Sequence, residues 1–238
     1  MNAEAGRVVL VTGATGRLGR VVAATFAAGG ARLGLVGTDR DRLTAMATEL
    51  GLAADRWTPA VADLTDPAAA TAAVGAVVER FGRVDAVLHL VGGWAAGMPV
   101  VDLAADDLRG MLDQHLWTTL HIVQAAVPGM VERGWGRIVA VTTPFAANPA
   151  AKGAAYAISK GAEETLLRAL AREVAADGVT ANLVVVKRID VEHERETEPL
   201  PRNAAWTTPE EIASVMRFLC SDEAAAINGA RIPLDGRA

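Results

Sequence analysis

Tyr156 and Lys160, in the segment Tyr-Ala-Ile-Ser-Lys, stand four residues apart, so on a helix they share a face. A cation beside a phenol favours the phenolate, and such a pair can act as a general acid/base near neutral pH. Two surface neighbours would show the same spacing. Two further observations set this pair apart: Tyr156 is the only tyrosine of the chain, and it follows an apolar strand pattern that ends in the hydroxyl residues Thr142 and Thr143.

A second chemical feature opens the chain. Val8-Val-Leu-Val-Thr12 is a β-type apolar run, Gly13 turns it, and Gly16 and Gly19 lead into a helical pattern over residues 21–28. Glycines in such a turn let a phosphate approach backbone N–H groups and permit positive φ. The helix N-terminus supplies the dipole and the first unpaired N–H donors for an anion. A strand-to-helix turn could also be glycine-rich for packing alone; its place as the first unit of an alternating β/α chain favours dinucleotide binding.

The elements that must position these residues can be read in order. Residues 31–36, 56–62, 84–91, 137–142, 179–186 and 231–234 are predicted strands. Residues 41–50, 67–80, 106–130, 154–176 and 209–219 are predicted helices, the third and fourth of them long. Nearly continuous apolar runs such as residues 84–91 mark strands covered on both faces of a parallel sheet. The expected fold class is therefore α/β: one Rossmann-type doubly wound domain over residues 1–238, about seven mostly parallel strands with helices on both faces, and ligands at the strands' carboxyl ends. Residues 187–202 break the pattern with charge and proline and read as a loop.

Composition bounds the rest. With 238 residues, 21% charged and a net charge of −5, the chain suits one sizeable domain and carries no basic footprint for nucleic acid. Cys220 is the only cysteine, which excludes an internal disulfide and fits a reducing compartment. The first six residues lack the features of a signal peptide, and no apolar run is long enough to span a bilayer. A cytoplasmic protein without membrane or nucleic-acid partners is the expectation. No carboxylate or thiolate set near a histidine indicates a metal.

Over essentially its whole length the chain resembles the short-chain dehydrogenase/reductase family. The resemblance rests on Thr12-Gly13 with Gly16 and Gly19, Asp63-Leu64, Gly92-Gly93, Thr143 upstream of Tyr156, Tyr156 with Lys160, and Asn182. It implies an NAD(P)-dependent oxidoreductase acting on a small molecule. Tyr156 would exchange the proton with the substrate oxygen, Lys160 would lower its pKa and bind the nicotinamide ribose, and Thr143 would hold the substrate carbonyl. The dinucleotide would lie on Thr12, Gly13, Thr15, Gly16, Arg17, Leu18 and Gly19, with Asp63 and Leu64 at the adenine and Val91, Gly92 and Gly93 beyond. Residues 187–207 would be the substrate lid, and the two long helices would pair across a two-fold axis, giving a homodimer or homotetramer. Trp94, Phe145 and Trp206 follow strand ends and could wall a pocket for a flat carbonyl or imine substrate.

The departures from the family pattern matter. The glycine spacing is that of extended members; His89-Leu90-Val91-Gly92 replaces an Asn-Asn-Ala-Gly turn; His115 stands for the helical asparagine of the catalytic tetrad; and Val186-Lys187 replaces a Pro-Gly. His115 either completes a proton relay or is a hydrogen-bonded histidine in a helix bend. Gly92-Gly93-Trp94-Ala95, Leu116-Trp117-Thr118, Trp206 and the ending Asp235-Gly236-Arg237 are similar in patches to quinoid dihydropteridine reductases. Two other readings stand beside the reductase: a dinucleotide-sensing binding protein with a weakened site, and an epimerase or dehydratase of the extended type, for whose substrate domain the chain is short. At the end of the second strand Gly37-Thr38 offers no acid to the ribose, whereas Thr38, Arg40 and Arg17 suit a 2′-phosphate, so NADP(H) is favoured over NAD(H). Asp39 is the competing residue.

Overall fold

The apolar run Val8–Thr12 forms the central strand β1, and the remaining elements are laid on either side of it. The computed structural model describes residues 6–236; residues 1–5 and Arg237, which enter the leader and C-terminal readings above, lie outside the described residues. After β1 come α1 (Arg17–Ala28), β2 (Arg32–Gly37), α2 (Arg40–Glu49), β3 (Trp57–Val61), α3 (Pro67–Phe81) and β4 (Ala86–His89). The second half runs α4 (Ala105–Leu112), α5 (Thr118–Glu132), β5 (Gly136–Thr142), α6 (Ala154–Glu173), β6 (Val179–Val186), α7 (Glu194–Thr197), α8 (Pro209–Leu219) and β7 (Arg231–Leu234).

The strands form one sheet in the order β3-β2-β1-β4-β5-β6-β7, with every pairing parallel. Strand order reverses between β1 and β4, so a crevice opens at their carboxyl ends, where Thr12 pairs with His89. Alternation along β1 sends Leu10 to one face and Val9 and Val11 to the other. On the first face Val77 of α3, Ile122 and Met130 of α5 and Leu167 of α6 cover the sheet. The second face buries Phe26 of α1, Met46 of α2 and Met216 of α8. Each of these six helices thus contributes one apolar stripe, and the central strands are apolar on both sides because both sides are covered.

Local chemistry sets the helix ends. Asp66 caps α3 ahead of Pro67, and Gly82 closes it in the left-handed conformation. Thr208 and Glu211 form a reciprocal capping box at α8.

Two segments differ from their sequence pattern. Residues 106–130 are not one helix: a π-helical turn, Asp113–Trp117, separates α4 from α5. The extra residue in that turn rotates the helix after it, and a hydropathy period cannot register a single insertion. Residues 187–207 are more ordered than a charged loop implies. Arg195 is buried there, donating to the Trp206 carbonyl at 2.6 Å and to Glu211 at 2.5 Å, while Asp190 accepts from the N–H groups of Glu194 and Arg195. A guanidinium that finds these partners becomes an interior anchor for the segment.

Candidate active site

At the end of β1 the chain turns through Gly13 at φ +63°, where a Cβ would come within 2.8 Å of the Leu90 carbonyl oxygen. Only glycine fits both the backbone conformation and that approach. Gly16 is the N-cap of α1 and no side chain caps the helix. The first-turn N–H groups and the positive end of α1 therefore face the crevice, a cradle suited to a pyrophosphate.

Across from this turn, β4 ends at His89, whose ring is buried between Thr12 and the π turn. Nδ1 lies 3.0 Å from Thr12 Oγ1 and Nε2 lies 3.2 Å from Thr118 Oγ1. Thr118 donates its hydroxyl hydrogen to the Gln114 carbonyl at 2.7 Å, so it can only accept from His89 Nε2–H. Thr12 then donates to Nδ1 while accepting from the Leu90 N–H at 3.1 Å. His89 is a neutral structural tie: burial, then the Lys160 charge and the neighbouring His115, push its pKa down to about 3.

The π turn delivers His115 to the same place. Its Nε2 accepts from the Gly93 N–H at 3.3 Å, which leaves Nδ1–H to face the Met111 carbonyl at 3.1 Å and the Ser159 hydroxyl at 2.9 Å. Burial and Lys160 bring its pKa to about 3, so the ring is uncharged at neutral pH. Gly92 has φ +155°, and a Cβ on it would meet His115 Nε2 at 2.7 Å, so the turn after β4 requires glycine because the imidazole closes on it.

From α6 come Tyr156 and Lys160. Lys160 Nζ donates to the Val141 carbonyl at 2.8 Å and to the Glu163 carboxylate at 2.7 Å. Tyr156 is half-buried, hydrogen-bonded to Thr143, and its pKa is pushed up to about 12 by burial and by the Glu163 charge, which the Thr143 bond offsets in part. The phenol in this structure is therefore a proton holder, in contrast to the activated phenolate expected from a neighbouring cation alone.

These groups surround a cavity of about 680 Å³. Gly13, Gly16, Arg17, Leu18 and Gly19 form one end; Val91, Gly92, Gly93, His115, Tyr156 and Lys160 the middle; and Trp94 with Phe145 the other rim. Thr143 stands behind Tyr156 as the cap of a turn at residues 144–146, accepting from the Phe145 N–H. Thr12 is buried, Thr15 is half-buried beside the turn, and Leu64 is buried, with its carbonyl accepting from His121 at 2.9 Å. Thr38 and Arg40 are exposed beyond β2, and Asp63 is exposed beyond β3 with its carboxylate accepting from the N–H and hydroxyl of Thr65, which lowers its pKa. All of these lie at the carboxyl ends of their strands.

One expectation is corrected. Trp206 is not on the cavity wall: it is buried beneath Arg188, whose guanidinium carbon is 3.8 Å from the ring centre, and Arg188 faces the cavity in its place. Sequence position after a strand end could not show which of the two side chains lies outermost. Lys187, Arg188, Ile189 and Val191 bring the segment after β6 to the cavity, and the exposed pair Arg17–Glu192, at 2.6 Å, ties it to α1. Two neighbours of the site were missed by sequence reasoning, Ser159 against His115 and Glu163 against Lys160. The signal was available for Glu163: a carboxylate on the same helical stripe as Tyr156 and Lys160 is unusual beside an apolar core.

The comparisons with known proteins agree with this geometry. A family model for short chain dehydrogenases matches residues 7–200. The chain is 33% identical over 231 residues to (2S)-[(R)-hydroxy(phenyl)methyl]succinyl-CoA dehydrogenase subunit BbsC of Thauera aromatica, covering 94% of this chain and 91% of that one. It is 32% identical over 240 residues to D-threitol dehydrogenase of Mycolicibacterium smegmatis, covering 97% and 92%. Among solved structures, levodione reductase superposes with a TM-score of 0.88 at 27% identity, covering 98% and 97%. An NAD+-bound xylitol dehydrogenase superposes with a TM-score of 0.87 at 25% identity, covering 98% and 99%. These similarities do not show the patchwise resemblance to quinoid dihydropteridine reductases.

Proposed function

The chain belongs to the short-chain dehydrogenase family of oxidoreductases, and from that premise we propose that it moves hydride between NADP(H) and a small carbonyl or C=N compound, with Tyr156 carrying the proton. The observation that carries this reading is the convergence of Tyr156, Lys160 and His115 on one cavity whose far end is the glycine turn of α1. The cradle at Gly13 and Gly16 fits a dinucleotide, since Gly16 caps α1 without a side chain and leaves the first N–H groups of the helix to an anion. When bound, the reduced nicotinamide supplies the hydride.

The residues of the chain supply the rest. Tyr156 holds its proton at neutral pH and donates it to the substrate oxygen or nitrogen as negative charge develops there. Thr143 bonds the phenol and stabilises the phenolate that remains. Lys160, with two of its three N–H donors engaged by Glu163 and Val141, keeps one for a ribose hydroxyl in the cavity. Trp94 and Phe145 offer flat apolar walls to a ring-bearing substrate, and residues 187–207 form the lid over it. Arg17 at the cavity end, with Thr38 and Arg40 beyond β2, would receive a 2′-phosphate. The exposed Trp117, at the end of the π turn ahead of α5, and Ile158 of α6 support pairing into a homodimer or homotetramer, and the single buried cysteine supports a cytoplasmic setting.

The test is incubation of pure protein with NADPH and a panel of ketones, diones and quinonoid rings, following the absorbance of the reduced nicotinamide. Turnover of at least one class is expected. The engagement of Lys160 by Glu163 favours one second reading, a dinucleotide-sensing protein with a weakened site; NADPH binding without turnover of any member of the panel would select it.

A further inference from the structure

Tyr156, Lys160 and Glu163 follow one another at spacings of four and three residues, so they form a single stripe along α6. Glu163 is wholly buried. Side chains in a helix lean toward its N-terminus, which carries the Glu163 carboxylate back to Lys160 Nζ at 2.7 Å; its other oxygen lies 3.2 Å from the Thr119 hydroxyl of α5, whose one hydrogen is shared with the His115 carbonyl at 2.5 Å. On balance the Glu163 pKa is raised: burial pushes it up, the Lys160 ammonium and the hydrogen bonds of Lys160 and Thr119 hold it down only in part, and the neighbouring Glu164 charge adds to the rise. The next residue, Glu164, is engaged elsewhere, by Thr142 at 2.8 Å and by Arg231 of β7 at 2.8 Å. The other titratable or charged groups facing this stripe are His89 of β4, His115 of the π turn and, across the cavity, Arg17, Lys187 and Arg188. Both histidines are neutral at neutral pH.

We propose that Glu163 is a positioning residue: its buried carboxylate anchors Lys160 below Tyr156 and offsets the ammonium charge that the phenol would otherwise experience. The inference rests on the reading of Tyr156 as the proton carrier and adds what sets its proton affinity. The site is thereby tuned toward an acid that releases its proton only to a strongly basic oxygen or nitrogen, which suits reduction at neutral pH better than alcohol oxidation. Oxidation, which needs a phenolate, would require alkaline solution.

Because Tyr156 is the only tyrosine of the chain, its ionisation can be read directly, without substrate, from the near-ultraviolet absorbance of the phenolate. Incorporating ring-fluorinated tyrosine, a more acidic phenol, brings the titration into the range where the protein stays folded, and circular dichroism reports the fold at each pH. In Glu163→Gln, which keeps the shape and the acceptor oxygen, the midpoint should fall by about one pH unit or more, and the pH profile of kcat/KM for alcohol oxidation should move with it. An unchanged midpoint in folded Glu163→Gln overturns the proposal. If that variant is too unstable to titrate, the pair Lys160→Met with Glu163→Leu replaces both charges by apolar side chains of similar volume. Its midpoint should stay near that of the parent, and a rise of about one unit or more would overturn the proposal by showing that the ammonium had acted on Tyr156 undiminished. Absence of turnover in the parent protein would count against Tyr156 as proton carrier while leaving this titration to decide the role of Glu163.

Discussion

The imidazole of His115 stands edge-on to the phenol ring of Tyr156, with centroids 5.6 Å apart and planes inclined by 74°. This contact fixes the phenol by packing and leaves its hydroxyl to Thr143. Tyr156→Phe should therefore keep the fold and bind NADPH nearly as the parent does, while turnover falls by roughly 10²- to 10⁴-fold, the usual contribution of a positioned acid or base. Fluorescence titration with NADPH and steady-state kinetics check it. Equal losses of cofactor affinity and rate would mean a structural role for the hydroxyl, and retained turnover would move the proton donor elsewhere.

Two buried neutral histidines make the fold sensitive to acid. The folded-state pKa values of His89 and His115 lie near 3, below their ordinary value of 6.5, so the unfolded chain binds more protons than the native one between those limits. Stability must fall as pH falls from about 6.5 toward 3, with a limiting slope of about 1.4 kcal/mol per pH unit for each histidine. Urea unfolding at a series of pH values measures the slope. His89→Gln, which keeps one donor and one acceptor for Thr12 and Thr118, should flatten it; an unchanged slope would place the acid sensitivity in other groups.

Much of the frame was legible because its physical cause is local. The strand runs, Pro67 and Pro209 at helix starts, and the glycine turn after Thr12 each announce themselves by composition, and all occur where expected. The cavity residues Tyr156 and Lys160 were legible from their spacing. What remained hidden depends on distant partners. The π turn that swings His115 toward Gly92 arises from one extra residue in an otherwise helical pattern, and the burial of Arg195 depends on Glu211 sixteen residues away. Whether Trp206 or Arg188 faces the cavity is decided by their stacking, which no pattern of types encodes.

Gly92 offers a test of how closely that π turn fits the turn after β4. Gly92→Ala places a methyl carbon 2.7 Å from His115 Nε2 at a φ of +155°, a conformation that L residues rarely adopt. A loss of about 1–3 kcal/mol of stability is expected from the overpacking, together with a lower kcat as His115 is displaced against Tyr156. Adding His115→Ala should recover part of the stability by making room. A folded Gly92→Ala protein with parental stability would show that the two turns move independently.

Cofactor preference turns on the end of β2. An NAD-binding site places a carboxylate there to accept from the ribose hydroxyls, and that carboxylate repels a 2′-phosphate. Here the strand ends at Gly37, Thr38 follows, and the Asp39 carboxylate is turned toward α2, accepting from the N–H groups of Asp41 at 2.9 Å and Arg42 at 3.1 Å. As a helix cap Asp39 is engaged, so Asp39→Ala should cost about 1 kcal/mol of stability and leave coenzyme preference unchanged. Arg17→Ala and Arg40→Ala should each weaken NADPH more than NADH, because a charge-assisted bond to the 2′-phosphate is lost only for the former. In the parent, NADPH should give the higher kcat/KM. An NADH preference of about tenfold, equivalent to about 1.4 kcal/mol of transition-state binding, would overturn the assignment and make Asp39 the reader of the ribose.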